Sequence, residues 1–562
     1  MRIPLFLFLF IPFVLFSQNP YPQDYFSNPL EIPIVLAGTF AELRSNHFHS
    51  GLDIKTQQRE GLKVLSAADG FVSRIKISPF GYGKALYITH PNGYTTVYAH
   101  LSKLSPKIEA YLKERQYEAE SYGIELFPPI KALLVDKGEL VAYSGNTGSS
   151  GGPHLHFEIR DKNEHPLNPM LFGINTKDTN KPTISSLYAY PIGENAQINK
   201  SDSKQKIRLR AQGNGNFVAE PIEAFGKIGF GIETVDRQDL AYNNNGVYNI
   251  QTQFNGQTNF EIDFKSFSFL ETNDINRLID YDIYKNERDR IQKLFIDTNN
   301  ELSLYKNTTD QGYITITDST SAVYKIKVSD FEGNASWITV SIDGKENSTV
   351  LKTPPAVTPY YLYENKASTL TEENVTVNFY RNTFYEDFFI DFKVSNDTLQ
   401  LLPIGQAARK NFSIAFDISK YKEADKDQLF IAELVGYKKS PSYSKTTRTD
   451  NTLITYTKDL GYYTLVSDTI APTIVPTNFK NDQWLSSAKT LQVKITDDMS
   501  GISDYRATIN GKWILMEYEY KNNTLTYHFS DGMSTKGQND FKLIVIDNVG
   551  NSSTFEARFH RK

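Results

Sequence analysis

Apolar and polar positions alternate along much of the chain between residues 32 and 173. Residues 84–90 are typical, and similar short runs are separated there by Gly, Pro and Asn turns. Such alternation predicts β-strands with one buried face. Residues 105–125 differ, because apolar side chains such as Ile108 and Leu112 recur at helical spacing among many charges. The pattern predicts a β scaffold that carries one helical insertion.

Two patterns in the C-terminal part of the chain occur twice. The segment DTNKPTI at 178–184 returns as DTIAPTI at 468–474, and VSDFEGNAS at 328–336 returns as VIDNVGNSS at 545–553. In both cases a Pro-containing strand and a strand-turn-strand enclose a Thr-, Tyr- and Val-rich interior, which predicts two related β-sandwich modules. A further strand-rich segment without helical spacing lies between them and predicts another module.

The predicted fold is therefore mainly β. A β-rich N-terminal domain with a helical insertion at about 105–125 precedes about three Ig-like β-sandwich modules. The predicted bounds are 18–177 for the N-terminal domain, 178–347 for a first module with an insertion, 348–467 for the second module and 468–562 for the third. Helical spacing over residues 272–295 predicts that part of the insertion in the first module is helical.

The N-terminus has the pattern of a secretory signal peptide. A basic start, Met1-Arg2, is followed by an apolar run over residues 3–16 and then by Ser17, which predicts a signal peptide over 1–17. The run is shorter than the about 20 residues that span a bilayer, although an uncleaved anchor is the alternative. No other segment is a candidate, so no transmembrane segment is expected after cleavage, and the chain is expected to be exported.

Composition and charge exclude several kinds of partner and site. The net charge of −5 and the pI near 6.1 provide no basic field for duplex nucleic acid, so no nucleic-acid partner is expected. The chain has no cysteine, which excludes a disulfide framework and any thiolate ligand or nucleophile. A metal site must therefore be built from histidine and carboxylate side chains.

Histidine is concentrated in the first third of the chain, where seven of the nine lie between residues 47 and 165. His49 and Asp53 would share one face of an extended segment, and so would His154 and His156. One imidazole from each of these two segments and one carboxylate would make a three-ligand metal site. Its fourth position would be left to water, which is the catalytic arrangement for zinc.

The other histidines divide into one candidate and several without a role. His100 ends an alternating segment that follows a hairpin turn, and it is a candidate for the acid–base and oxyanion roles that a hydrolase needs. A two-residue hairpin loop would put His90 on the face opposite His100, and a loop one residue longer would reverse this, so His90 is given no role. His47 is expected to be exposed or to support a ligand. The remaining histidines are expected on the surface: His165, His528 and His560.

Three histidine-containing motifs follow one another in this region. They are His49-Ser50-Gly51-Leu52-Asp53, Tyr98-Ala99-His100-Leu101, and the stretch from Ser144-Gly145-Asn146-Thr147-Gly148 to His154-Leu155-His156-Phe157-Glu158. Their order and wording resemble the lysostaphin/LytM-type zinc metallopeptidases, and residues 38–44 are similar to the family's approach to its first motif. The resemblance covers about residues 32–173.

The resemblance implies a ligand set and a division of labour. In it, His49, Asp53 and His156 bind Zn²⁺, while His100 and His154 flank the water and the scissile carbonyl. It also implies a β-rich fold with a narrow groove and activity on the peptides of bacterial peptidoglycan. This chain departs from the simplest members by its insertion after His100, which we expect to border the groove and restrict which cross-links are admitted.

The sequence thus predicts a zinc metalloendopeptidase that is exported to the periplasm or cell envelope of a bacterium, or secreted, and hydrolyses peptidoglycan. The downstream modules are expected to position the enzyme or to bind a cell-envelope protein, and to take no part in the chemical step. The alternative is a non-catalytic cell-wall-binding or scaffolding protein built on β-sandwich modules. The complete set of candidate ligands favours the enzyme.

Overall fold

The computed structural model describes residues 20–354 and 356–562. It is 46% strand and 8% helix, which confirms the mainly β fold. The predicted signal peptide over 1–17 lies outside the described residues. Within the described ranges, no helix combines the length and apolar character that crossing a membrane requires.

The N-terminal domain consists of short strands, one α-helix and one 3-10 helix. The strands are β1 (Leu36–Gly38), β2 (Leu52–Lys55), β3 (Lys63–Leu65), β4 (Gly70–Ile77), β5 (Lys84–Thr89), β6 (Thr95–Ala99), β7 (Lys103–Leu104), β8 (Ile124–Leu126), β9 (Leu134–Val135), β10 (Leu140–Tyr143), β11 (His154–Arg160) and β12 (Pro166–Leu167). The helices are α1 (Pro106–Ala119) and the 3-10 helix Pro169–Phe172. The main path of the large sheet is β1-β2-β11-β6-β5-β4-β8, and β3, β10 and β7 form a second sheet.

The centre of the large sheet is buried on both faces. In β5 and β6, Leu86 and Tyr98 face the main core, whereas Ala85, Tyr87 and Val97 form a small apolar cluster. This double burial explains why these strands have almost no exposed residue. Strand β11 lies between β2 and β6, so the third motif is adjacent to the first and the second.

The pairing register of the hairpin between β5 and β6 differs by one residue from that of a hairpin with a two-residue loop. Thr89 pairs with Thr95, whereas a two-residue loop would pair Thr95 with His90. His90 is buried, and its ring nitrogens hydrogen bond with the Asp69 carbonyl at 2.9 Å and with Thr96 Oγ1 at 2.8 Å. His90 is therefore a core histidine with satisfied ring nitrogens.

The helical insertion is confirmed as α1. Its N-terminus begins with Pro106, whose fixed φ suits the first helical turn. Glu120 follows the helix in the left-handed conformation, with φ 46°, and ends it. Ile108 and Leu112 are buried one turn apart, so this face attaches α1 to the domain.

The first module contains eleven strands that hydrogen bond into one sheet. The strands are β13 (Thr183–Ile198), β14 (Gln205–Ile207), β15 (Leu209–Gln212), β16 (Asn216–Ala219), β17 (Ile222–Val235), β18 (Asn249–Phe254), β19 (Gln257–Asp263), β20 (Gln292–Lys293), β21 (Ile314–Ile316), β22 (Ser321–Ser329) and β23 (Ala335–Gly344). The helices are α2 (Ile275–Leu278), α3 (Tyr281–Glu287) and the 3-10 helices Thr272–Asp274 and Asp310–Gly312. Parallel pairing of β23 with β16 and β17 joins the layers into one sheet. Helical structure in this part of the chain ends at residue 287, so the helical stretch expected over 272–295 is shorter than predicted.

The N-terminal domain and the first module share one hydrophobic core. Phe267 of the first module packs against Phe40 and Phe48, and both ring centroids lie 5.3 Å from its own. Phe48 immediately precedes His49 in the first motif. The predicted domain bounds stay predictions, but the apolar packing crosses the one drawn at residue 177.

The second and third modules each consist of two sheets around a separate core. The second contains β24 (Tyr360–Leu362), β25 (Ser368–Glu372), β26 (Val375–Phe379), β27 (Phe388–Ser395), β28 (Thr398–Leu402), β29 (Phe412–Asp417), α4 (Glu423–Lys426), β30 (Leu429–Val435), β31 (Ser440–Tyr443), β32 (Thr447–Thr449), β33 (Thr452–Thr457) and β34 (Tyr462–Ser467). The third contains β35 (Thr473–Pro476), β36 (Gln483–Trp484), β37 (Thr490–Thr496), β38 (Ile502–Ile509), β39 (Lys512–Trp513), β40 (Met516–Glu519), β41 (Thr524–His528), the 3-10 helix Phe529–Asp531, β42 (Gly537–Asp547) and β43 (Ser552–Arg561).

Candidate metal centre

Three side chains converge at one point on the large sheet. His49 Nε2 lies 2.9 Å from Asp53 Oδ1 and 3.0 Å from His156 Nδ1, and Asp53 Oδ1 lies 2.9 Å from His156 Nδ1. All three residues are buried. Two imidazole nitrogens and one carboxylate oxygen in this arrangement could hold a metal ion.

Strand pairing brings His156 to His49 and Asp53, from which it is more than 100 positions away in sequence. His156 of β11 lies directly opposite Asp53 of β2. His49 precedes β2, where its backbone amide donates to the Glu42 carbonyl at 3.0 Å and its carbonyl accepts from the Ala41 amide at 2.7 Å. The antiparallel register of two strands and one anchored turn therefore determine the geometry of the group.

The far nitrogen of each imidazole is held by an acceptor. His49 Nδ1 lies 2.7 Å from the Thr39 carbonyl, and His156 Nε2 lies 2.8 Å from Glu158 Oε1. When both rings are neutral, each of these nitrogens donates its hydrogen there, which leaves one lone pair on His49 Nε2 and one on His156 Nδ1. The two lone pairs point at the place where the three side chains meet. In metal-binding histidines, contacts to the far nitrogen commonly orient the ring in this way.

The carboxylate of Asp53 is held in a similar way. Arg44 donates to Asp53 Oδ2 at 3.1 Å, which leaves Oδ1 for the convergent group. Burial opposes the charge of Asp53, but the neighbouring His49, His154 and His156 hold its pKa well below the ordinary value. Burial likewise opposes protonation of His156, but hydrogen bonds to Asp53 and Glu158 raise its pKa to about 9.

Glu158 is the centre of a buried polar cluster behind His156. It accepts hydrogen bonds from Ser50 Oγ at 2.7 Å, from Arg160 Nε at 2.6 Å and from the Tyr82 hydroxyl. Burial raises the pKa of Glu158, but Arg160 and His156 outweigh this and hold it well below the ordinary value. The Tyr82 ring also stacks on the His156 ring at a centroid distance of 5.2 Å. These contacts fix the orientation of His156 and keep its partner charged.

His100 and His154 lie beside the convergent group. Their ring centroids are 4.7 Å apart, and His154 Nε2 lies 3.3 Å from Asp53 Oδ1. His100 Nδ1 donates to the Thr147 carbonyl at 2.9 Å, and His154 Nδ1 lies 2.8 Å from the Gly152 carbonyl. Burial and the nearby His156 and His154 lower the pKa of His100 to about 3, so His100 is neutral at physiological pH.

The glycine-rich loop between β10 and β11 packs against the protein at one end and is open at the other. Gly148 has φ +69°, and a Cβ there would lie 2.3 Å from the Gly83 amide nitrogen. A side chain at Gly148 would therefore displace the backbone of the neighbouring segment. Nothing lies within 4 Å of a Cβ built on Gly151 or Gly152. The loop is thus anchored beside Thr147 and unobstructed near His154.

The third module contacts this loop directly. Lys521, in the turn between β40 and β41, donates to the carbonyls of Asn146 and of Gly148, the latter at 2.9 Å. These two carbonyls flank Thr147, whose own carbonyl accepts the hydrogen bond of His100. Lys521, although distant in sequence, therefore hydrogen bonds with the loop that orients His100.

A buried ion pair reinforces the same interface. Lys84 Nζ lies 2.8 Å from Glu517 Oε2 and donates to the Ser102 carbonyl at 3.0 Å. Burial opposes the charge of Lys84, but Glu517 raises its pKa above the ordinary value. Beside this pair, Phe80 and Tyr520 are in ring contact at 4.9 Å.

The exposed side of α1 is also covered by the third module. Lys113 and Tyr117 both hydrogen bond with Asp531, and Tyr117 meets the Trp513 ring edge-on at 5.3 Å. The insertion therefore packs against the N-terminal domain on its buried face and against the third module on its other face. That α1 restricts the groove stays a prediction.

The remaining histidines lie where the sequence suggests. His47 is exposed and hydrogen bonds with Asn46 at 2.8 Å, and the others lie partly exposed: His165, His528 and His560. Sequence reasoning assigned no role to the residues that orient the ligands. Glu158 could have been found from the sequence, because it is two positions after His156 on the same strand face. Arg44 lies in the segment 38–44 that resembles the family's approach to its first motif, although no role was assigned to it. Tyr82 and Lys521 carried no signal.

Comparison with known proteins relates the N-terminal domain to a family. Residues 47–121 and 131–169 match the model of Peptidase family M23. The chain carries an M23 peptidase domain. Residues 359–468 match the model of a Zu5-like domain, and they overlap the second module.

The M23 domain is similar to several curated proteins over a limited length. The DD-carboxypeptidase/endopeptidase Mpg of Neisseria meningitidis serogroup B is 35% identical over 136 residues, which are 24% of this chain and 25% of that protein. The peptidoglycan DD-endopeptidase ShyA of Vibrio cholerae is 29% identical over 168 residues, which are 29% of this chain and 31% of that protein. The chain thus spans between a quarter and a third of these relatives.

Solved structures match the same region. The catalytic domain of the antimicrobial peptidase lysostaphin from Staphylococcus simulans is 20% identical and covers 25% of this chain and 93% of its own, with a TM-score of 0.19. A zinc containing peptidase from Vibrio cholerae is 28% identical and covers 27% of this chain and 39% of its own, with a TM-score of 0.20. TM-scores this low add no independent support.

Proposed function

We propose that the M23 domain is a zinc metalloendopeptidase that hydrolyses peptide bonds in the stem peptides or cross-links of bacterial peptidoglycan. The convergence of His49 Nε2, Asp53 Oδ1 and His156 Nδ1 within 3.0 Å of one another carries the proposal. The relatives named as peptidoglycan DD-endopeptidases support the substrate class. Because the matched segment is only part of those proteins, the activity of the whole chain belongs to the proposal.

The donor set fits zinc. Two imidazole nitrogens and one carboxylate oxygen are common ligands of catalytic zinc, which keeps a further position open. The outer contacts of His49, Asp53 and His156 leave one ligand atom of each directed at the same point. A zinc ion bound there would lower the pKa of a water molecule and polarise a carbonyl.

His100 and His154 are assigned to the reacting groups. The Thr147 carbonyl holds His100 Nδ1, so the free Nε2 of this neutral imidazole is able to accept a proton or a hydrogen bond. The Gly152 carbonyl holds His154 Nδ1 in the same way. Both rings are therefore oriented beside the proposed ligand group, where they would flank the water and the scissile carbonyl. An extended peptide would approach across the open backbone of Gly151 and Gly152.

The proposed substrate places the protein outside the bacterial inner membrane. We include export to the periplasm or cell envelope, or secretion, in the proposal. Binding of a cell-envelope protein by the downstream modules belongs to it as well, and it is independent of the chemistry at the metal centre.

Two variants separate ligation from the acid–base role. His156→Ala removes one of three ligands and is expected to lose most of the zinc together with turnover. His154→Ala is expected to keep near-stoichiometric zinc, while turnover falls by roughly 10²- to 10⁴-fold, as when a positioned acid–base or oxyanion group is removed. The measurements are metal analysis and mass spectrometry of fragments that the full chain releases from purified peptidoglycan.

His165→Ala is the matched control, because this histidine is partly exposed and contacts Asp161 instead of the metal centre. It is expected to retain both zinc and turnover. Zinc retained in His156→Ala, or full activity in His154→Ala, would contradict the assignment. A wild-type chain that binds zinc but releases no fragments would favour the non-catalytic wall-binding alternative.

A further inference from the structure

Three carboxylates from separate segments of the first module meet at its junction with the N-terminal domain. Asp178 precedes β13, Asp236 follows β17 and Asp330 follows β22. One oxygen of each lies within 4.8 Å of the others. We call these residues the first acidic triad. Asp236 and Asp330 are only 4% and 5% exposed, so two of the three negative charges are removed from water.

One oxygen of this triad is buried without any partner. Asp236 Oδ1 has no hydrogen-bond partner among the described residues, and Asp236 lines a small cavity together with Asp178 and Asp330. In the described part of the chain, no Lys or Arg forms an ion pair with any of the three. A buried carboxylate without hydrogen bond or counter-charge is strongly unfavourable. A cation or a proton is therefore needed to neutralise Asp236 Oδ1.

The third module repeats the arrangement. Asp468, Asp497 and Asp547 also bring one oxygen each to within 4.8 Å, and we call them the second acidic triad. Asn334 donates to the Asp178 carbonyl and to Asp330 Oδ2 at 3.2 and 2.8 Å. Asn551 makes the matching bonds to Asp468 and Asp547 at 3.0 and 2.8 Å. The repeated sequence patterns thus encode a repeated carboxylate cluster.

The two triads differ at one carboxylate. Asp497 Oδ2 accepts the backbone amides of Met499 and Gly501, at 3.2 and 2.7 Å. Asp236, its counterpart in the first triad, instead has an unpartnered Oδ1. Backbone amides of Asn180 and Asn334 also reach the first triad, at Asp178 and Asp330, but none reaches Asp236 Oδ1. The two triads therefore form a matched pair for experiment.

We propose that the first acidic triad binds a calcium ion. The cluster contains only oxygen donors, which hard cations prefer, and no imidazole nitrogen of the kind that zinc selects. Calcium accepts irregular sets of carboxylates, carbonyls and water, which suits three side chains from separate loops. Burial and the adjacent Asp178 and Asp330 raise the pKa of Asp236 to about 8, so a shared proton is the competing means of neutralising the cluster.

The position of the triad indicates what a bound ion would do. Thr39, Phe40 and Met170 of the N-terminal domain line the same cavity. Thr39 Oγ1 also accepts the amide of Gly246 in the first module, at 2.9 Å. A calcium ion there would hold the two units together close to the segment that supports His49. The inference does not depend on the proposed peptidase activity.

The test uses the full chain, stripped of metal and then reloaded with zinc so that the histidine site is not available to calcium. Calcium binding is measured by equilibrium dialysis, and the unfolding temperature is measured with calcium, with magnesium and without either. At about 100-fold excess over the dissociation constant, calcium is expected to raise the unfolding temperature of this unit by roughly 4 °C. Magnesium is expected to have a smaller effect.

Asp236→Asn is expected to lose this calcium binding and the calcium-dependent shift, while it folds without calcium because the substitution removes a buried charge. Asp497→Asn is the control, and it is expected to keep the binding that Asp236→Asn loses. No calcium binding in the wild type, or equal binding in Asp236→Asn, would overturn the proposal. A magnesium effect equal to that of calcium would overturn the assignment to calcium. A stabilised Asp236→Asn beside a calcium-insensitive wild type would identify a shared proton instead.

Discussion

At the scale of single residues, the candidate metal centre depends on contacts behind its three proposed ligands. His49, Asp53 and His156 present one atom each to the centre, because Thr39, Arg44 and Glu158 occupy the other atoms. Glu158 is in turn held by Ser50, Tyr82 and Arg160. These hydrogen bonds therefore fix which atom of each side chain faces the centre.

Zinc affinity is expected to rise with pH. A proton on His156 Nδ1 competes with zinc, and the pKa of His156 in the metal-free protein is raised to about 9. Below pH 9 the protonated form dominates, so each unit of decrease is expected to weaken zinc binding about tenfold, and the dependence should level off above pH 9. Competition with a chromophoric chelator between pH 6.5 and 9.5 measures this. His165→Ala should keep the same profile, and an affinity that is constant across the range would contradict the expectation.

At the scale of elements, the glycine-rich loop is held from two sides. Close backbone packing at Gly148 anchors it within the N-terminal domain, and Lys521 of the third module bonds to its carbonyls from outside. The loop in turn orients His100 through Thr147. The sequence predicts downstream modules without a part in the chemical step, and this stays a prediction. From the Lys521 contact we infer that the third module positions the loop.

Lys521→Met is therefore expected to lower turnover by roughly tenfold while zinc content stays unchanged, because a misplaced acid–base group slows reaction without releasing the metal. Lys521→Arg keeps the donors and should restore most of the rate. The control is Lys512→Met, which alters an exposed lysine of the same module. Equal turnover in Lys521→Met and Lys512→Met would exclude the positioning role, and this comparison presupposes a wild type that is active on peptidoglycan.

At the scale of the whole molecule, the N-terminal domain and the first module are expected to unfold together. Their apolar residues form a continuous core, in which Phe267 packs against Phe40 and Phe48. The second and third modules have cores of their own. The predicted bound at residue 177 therefore cuts through packed side chains.

A chain that ends at residue 177 is expected to be less stable than one that ends at residue 347. The shorter chain loses the Phe267 contacts and exposes Phe40 and Phe48, and removal of one buried Phe alone costs about 3–5 kcal/mol. Denaturant unfolding and limited proteolysis of the two truncated chains compare them directly. Equal unfolding midpoints would show that the N-terminal domain folds independently of the first module.

The sequence predicted the features that are encoded locally. Alternation indicated the β scaffold, and helical spacing indicated α1. The order of the three motifs brought together His49, Asp53, His100, His154 and His156 as candidates, which the structure places side by side. The hairpin at His90 depended on one residue of loop length, so alternation alone could not determine which residue it pairs with.

What the sequence by itself determined is the set of chemical groups, because residue type and spacing along a strand fix which side chains share a face. What only the tertiary structure decided is how distant segments meet: Lys521 on the loop of His100, Phe267 on the approach to His49, and three aspartates around one cavity. These pairings follow from the packing of whole units against one another. Local periodicity cannot predict these long-range contacts, because each partner resembles an ordinary surface or core residue within its own segment.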